Sequence, residues 1–88
     1  MAGKEDKEKE VGKIFTYFNK ISVAAMKAEG KLKVGDKIHI KGTTTDFTQK
    51  LESMQIDGKD VESVKKGDDV GFKVKDRVRP NDIVYLVK

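Results

Sequence analysis

One short pattern occurs three times in this chain and limits its fold more than any other feature. The copies are Val34-Gly35-Asp36-Lys37-Ile38, Lys66-Gly67-Asp68-Asp69-Val70 and Pro80-Asn81-Asp82-Ile83-Val84. Each sets a residue that tolerates positive φ before an Asp, with a strand-forming apolar residue close behind. Gly or Asn enters the left-handed region at little steric cost. The Asp carboxylate is expected to accept a hydrogen bond from an amide two residues on, so each copy reads as a tight turn opening a strand. Pro80 presets φ in the third copy.

Between these turns the apolar residues alternate with charged ones. The alternation is clearest in Lys37-Ile38-His39-Ile40-Lys41 and Phe72-Lys73-Val74-Lys75, the signature of strands with one buried face. Strand-like runs span Val11–Asn19, Ile21–Ala28, Asp36–Lys41, Phe47–Ile56, Asp60–Val64, Asp69–Val78 and Asp82–Val87. No segment carries a helical period, and Gly30 and Gly35 interrupt the Lys-rich stretch that comes nearest to one. The predicted class is all-β: a small antiparallel closed barrel of six to seven strands. Its core is expected to include Ile14, Val23, Ile38, Ile40, Leu51, Met54, Ile56, Val61, Val70, Val74 and Val84. Phe47 and Leu51 share a parity that Met54 and Ile56 do not, so a β-bulge is expected near Glu52 and Ser53.

Eighty-eight residues hold one domain, and a domain this small has a thin core. Lys4 to Glu10 is an unbroken run of seven charges, read as a disordered tail over residues 1–10 ahead of a domain over 11–88. Residues 1–10 hold three Lys and four acids, leaving 16 basic and 11 acidic residues in the domain. The net positive charge favours a polyanion or an acidic protein as partner. No apolar run exceeds six residues, so neither an export signal nor a membrane span is expected. Cysteine is absent, which excludes disulfides and thiolate metal sites. The expected location is the cytoplasm. High Lys and Glu with only two Asn and two Gln suit a thermophile.

Signs of catalysis are missing. No Gly-rich loop precedes a Lys-Ser or Lys-Thr pair, so no GTP site is expected. His39 is the only histidine, and alternation sends it to the solvent face beside Lys37 and Lys41, away from Ser22, Ser53 and Ser63. Asp68 and Asp69 are adjacent at a turn and diverge, which suits capping better than acid–base work. Thr43-Thr44-Thr45 reads as a polar loop. No cofactor and no metal are expected, and the chain is read as a non-enzymatic monomer.

Gly30-Lys31-Leu32-Lys33-Val34-Gly35-Asp36 leads into Ile38–Lys41. Lys50-Leu51-Glu52-Ser53-Met54-Gln55 follows, and the pattern ends in Val61-Glu62-Ser63-Val64-Lys65-Lys66-Gly67-Asp68-Asp69-Val70-Gly71. This order resembles the β-barrel that follows the G domain in elongation factor Tu and related translation GTPases. It is also similar to the barrel of collagenase-like peptidases and to stand-alone translation elongation factor-like proteins. The resemblance covers Val11 to Val87, with Val64 where the translation-factor pattern has Ala and Asn81 where it has Gly. It implies a non-catalytic module in or near translation, contacting RNA or a ribonucleoprotein such as tRNA or the ribosome. The other implied role is a protein–protein adaptor like the accessory barrel of the peptidases.

Lys73, Lys75, Arg77 and Arg79 are the expected nucleic-acid-binding residues. At two-residue spacing along one strand, all four would project from the same face, with Phe72, Val74 and Val78 turned inward. Tyr17, Phe18 and Tyr85 are the aromatic residues available to stack on bases.

Overall fold

The computed structural model describes residues 8–87, and all of its regular structure is strand. Ten strands follow in order: β1 (Glu8–Phe18), β2 (Val23–Ala28), β3 (Leu32–Lys33), β4 (Lys37–Lys41), β5 (Asp46–Lys50), β6 (Met54–Ile56), β7 (Lys59–Val61), β8 (Ser63–Val64), β9 (Asp69–Lys73) and β10 (Ile83–Val87). Eight form one antiparallel sheet in the order β5-β4-β10-β1-β2-β9-β6-β7, and β3 pairs with β8 in a separate ribbon. The all-β, antiparallel expectation holds. The closed barrel of six to seven strands does not: among the described residues the end strands β5 and β7 share no backbone ladder, and the strand count is ten.

A side chain joins the curled sheet where the backbone does not. Gln49 sits at an inward position of β5, where alternation calls for an apolar residue, and is 6% exposed. Its Nε2 donates to the carbonyl of Lys73 at 2.8 Å, and its Oε1 accepts from the amide of Lys75 at 2.8 Å. The primary amide offers one donor and one acceptor in the geometry of a peptide group. It thereby ties β5 to the chain leaving β9.

The core gathers Ile14, Ile38, Ile40, Leu51, Met54, Val70, Val74 and Val84, as expected, together with Val11, Met26, Leu32, Val64, Phe72 and Val78. Ile56 and Val61 pack against it half-buried, and Val23 is half-buried. The expected strand from Phe47 to Ile56 is broken at residues 51–53. That break, not a bulge, absorbs the parity change and buries both Leu51 and Met54. The bulges fall in β1, where register shifts between Glu10 and Gly12 against β10 and between Ile14 and Thr16 against β2. An extra residue on one strand of a pair bends that strand sharply, which lets β1 serve both neighbours of a curled sheet. The first seven residues of the expected tail lie outside the described residues, and Glu8, Lys9 and Glu10 pair with β10.

Candidate docking surface

The three copies of the turn have one geometry, differing from expectation in one respect. Lys33, Lys65 and Arg79 each donate a backbone N–H to the carboxylate three residues ahead, Asp36, Asp68 and Asp82, at 3.0, 3.0 and 2.8 Å. The amide of each Asp returns to the carbonyl of the same basic residue, at 3.1 Å in all three. The carboxylate therefore reaches back across the turn instead of forward into the strand. The third residue carries positive φ, 101° at Gly35, 98° at Gly67 and 80° at Asn81, as a type II turn requires. In the third copy Asp82 is buried. Gly42 lies against its carboxylate so closely that a Cβ there would overlap it.

This third turn ends the segment that carries the predicted cations. β9 stops at Lys73, and residues 74–82 are irregular, so the four basic residues do not form a row on one strand. All four are nevertheless exposed, and Phe72, Val74 and Val78 are buried. Two hydrogen bonds fix the course of the segment: the amide of Val74 donates to the carbonyl of Ser22, and the amide of Asn81 to that of Ile14, at 2.9 and 2.7 Å. The segment thus runs from the tip of the β1–β2 hairpin back along it, where the β1 bulge lies.

Sequence reasoning singled out Phe18 on that hairpin but missed Phe15 and Ile21. Phe15 is the residue with no partner in the β1–β2 register at the bulge, and it is 54% exposed. Phe18 ends β1 and Ile21 lies in the turn beyond, 51% and 58% exposed. The backbone holds them together, since the amide of Ile21 donates to the carbonyl of Phe18 at 3.2 Å. Ile21 directly precedes Ser22, and Phe15 directly follows Ile14, the two residues that anchor the cationic segment. The segment carrying Lys73, Lys75, Arg77 and Arg79 is therefore bonded to the backbone of the same hairpin that exposes these three apolar side chains. Of the aromatic residues expected to be available, Phe18 is the exposed one, while Tyr17 and Tyr85 are half-buried.

His39 corrects a second expectation. Its side chain is 15% exposed and sits between two carboxylates: Nδ1 is 2.9 Å from Glu8 Oε2, and Nε2 is 2.5 Å from Asp46 Oδ1. Burial works to lower the His39 pKa. The hydrogen bonds that Asp46 and Glu8 accept from the ring, with the charges behind them, outweigh that and raise it above the ordinary value. The hydrogen bond from His39 holds Asp46 below its usual range. These are the only ion pairs among the described residues. The described residues include no group of three His, Cys, Asp or Glu placed to hold a metal ion. They also include no helix long and apolar enough to cross a membrane.

No family model matches the sequence. An uncharacterized protease of Methanocaldococcus jannaschii is 45% identical over 80 residues, which are 90% of this chain and 20% of that protein. A collagenase of Porphyromonas gingivalis is 37% identical over 86 residues, 96% of this chain and 24% of its own length. The chain is similar to one part of these proteins. It spans about a fifth to a quarter of the length of the curated relatives it matches. Two crystal structures of the C-terminal domain of a Geobacillus thermoleovorans protein assigned to the U32 peptidases share the fold. Their TM-scores are 0.83 and 0.86, at 22% and 20% identity, covering 86% and 91% of this chain and 96% and 93% of theirs. Such a likeness fixes the architecture: this is the barrel-like fold of a peptidase C-terminal domain. The likeness to elongation factor Tu has no counterpart among these matches.

Proposed function

We propose that the chain is a non-catalytic protein–protein adaptor, comparable to the accessory domain of the collagenase-like peptidases. In this reading it docks its partner through the hairpin tip. The observation that carries this is the exposure of Phe15, Phe18 and Ile21 on a hydrogen-bonded hairpin. In a fold with so thin a core, leaving three large apolar side chains in water forgoes about 25 cal/mol for each Å² that burial would remove. Exposed apolar groups gathered in this way mark interaction sites. Aromatic residues are among those that protein interfaces favour over the rest of the surface. The relatives' protease and collagenase names fit a partner that is itself a polypeptide.

A second reading draws on the same place. The exposed Phe15 and Phe18, with the exposed Lys73, Lys75, Arg77 and Arg79 on a segment bonded to the same hairpin, are the residue types that single-stranded RNA uses. Purification of the tagged full-length chain from cells, with and without ribonuclease, separates the two. The adaptor reading expects a stoichiometric protein partner that survives ribonuclease. Loss of every partner on ribonuclease treatment would favour RNA.

A further inference from the structure

The sheet and the β3–β8 ribbon do not close on each other, and the seam between them is an open groove of about 770 Å³. Leu32 and Val64, paired across the ribbon, line it together with Leu86 of β10. It continues past Val11 of β1 into a second hollow that shares Lys31, Lys65 and Leu86 with the first. Lys9, Lys31, Lys33, Lys65 and Lys66 rim the two hollows and are all exposed. Two carboxylates also reach the groove, Asp36 and Asp68. Each accepts the backbone N–H of its own turn, so the rim keeps three more positive charges than negative.

We infer that this seam is a second binding site, and that its occupant is an acidic peptide segment carrying apolar side chains. Half-buried Leu86 and the methylene stems of the lysines, above Leu32 and Val64, offer the apolar surface that takes a Leu- or Phe-like side chain out of water. Lysine ammoniums are flexible point charges that meet neighbouring carboxylates without demanding planar geometry. Nucleic acid suits the groove poorly: no aromatic residue lines either hollow, so bases find no stacking face. The site is distinct from the hairpin tip. Lys9 stands near the start of β1 and Phe18 at its end, nine steps apart and about 30 Å along the strand's course. Two surfaces at opposite ends of one strand make the domain a two-ended connector.

The test titrates the 15N-labelled full-length chain at low salt with an acetylated ten-residue peptide in which one Leu and one Phe stand among eight glutamates. Two controls are a ten-residue polyglutamate and ten-nucleotide oligothymidine. The site predicts amide shift changes at Leu32, Val64 and Leu86, and tighter binding of the apolar peptide than of either control. Reversing two exposed rim charges, Lys31→Glu with Lys65→Glu, is expected to weaken the peptide about tenfold without unfolding the chain. The pair Phe15→Ser and Phe18→Ser is expected to leave it unchanged, so failure of docking at the tip is seen separately. Equal binding of polyglutamate or oligothymidine would overturn the inference. Shift changes centred on Phe15 and Phe18, or no binding at all, would do the same.

Discussion

Gln49 and Lys75 are joined across a gap that no strand pairing crosses: the buried amide oxygen of Gln49 accepts the backbone N–H of Lys75, while its nitrogen serves the carbonyl of Lys73. Gln49→Leu keeps the volume and leaves both backbone groups without a partner, each orphan costing about 1–3 kcal/mol. Urea denaturation should show a loss of about 2–6 kcal/mol, a large share of a total near 5–15 kcal/mol. Gln49 and Ile38 face each other across β4 and β5. Ile38→Ala at its fully buried site should cost about 2–5 kcal/mol.

The three turns give a graded series. The Asp82 bond is part-buried, whereas those of Asp36 and Asp68 are exposed to water that can replace a lost carboxylate. Asp82→Ala should therefore cost about 1–3 kcal/mol, and Asp36→Ala or Asp68→Ala about 0.5–1 kcal/mol. Gly42→Ala should approach the Asp82 loss, because its methyl group displaces the same carboxylate. Thermal unfolding of the four variants checks the order.

The His39 cluster sets a pH dependence. The pKa of His39 is raised in the fold, so its contribution is complete below the ordinary histidine value and is lost as pH rises through the raised one. The pKa of Asp46 is lowered, so its contribution is present above the ordinary carboxylate value and fades as pH falls through the lowered one. The cluster is strongest in the mildly acidic window between them. The stability gap between the parent and His39→Gln should be wider near about pH 5.5 than near about pH 8.5. An equal gap at both would show that folding does not raise the His39 pKa.

Much of the fold was legible because its causes are local. Alternation in Lys37–Lys41 and the three Asp turns depend on residues a few positions apart, and they place β4, β9 and β10 near where they lie. What escaped depends on distant partners. The pairing of Gln49 with Lys75 spans 26 residues and that of His39 with Glu8 spans 31, so neither polar side chain announced an inward role. Strands β3 and β8 are two residues long, too short for any period. At the docking surface the cations were legible as exposed residues, but their common strand was not real, since β9 ends at Lys73. Phe15 follows the buried Ile14 and is outward by alternation alone, whereas Phe18 shares the parity of Ile14 and is exposed only because the β1 bulge lies between them.

The four cations give a prediction of their own. If they hold a phosphate backbone, log affinity for single-stranded RNA should fall against log salt with a slope of about −2.8, roughly 0.7 for each of four contacts. Replacing Lys73, Lys75, Arg77 and Arg79 by Glu should then abolish RNA binding while the melting temperature holds. Under the adaptor reading the parent shows no such slope, which fluorescence anisotropy at several salt concentrations measures.

Docking through the hairpin tip is most directly tested by placing a photo-crosslinking amino acid at Phe18 in the full-length chain, irradiating cells, and identifying the adducts by mass spectrometry. The account predicts one dominant polypeptide adduct that resists ribonuclease, disappears with Phe15→Ser and Ile21→Ser, and persists when the crosslinker variant also carries Lys31→Glu and Lys65→Glu. Adducts consisting of RNA, or a polypeptide adduct indifferent to Phe15 and Ile21, would contradict it.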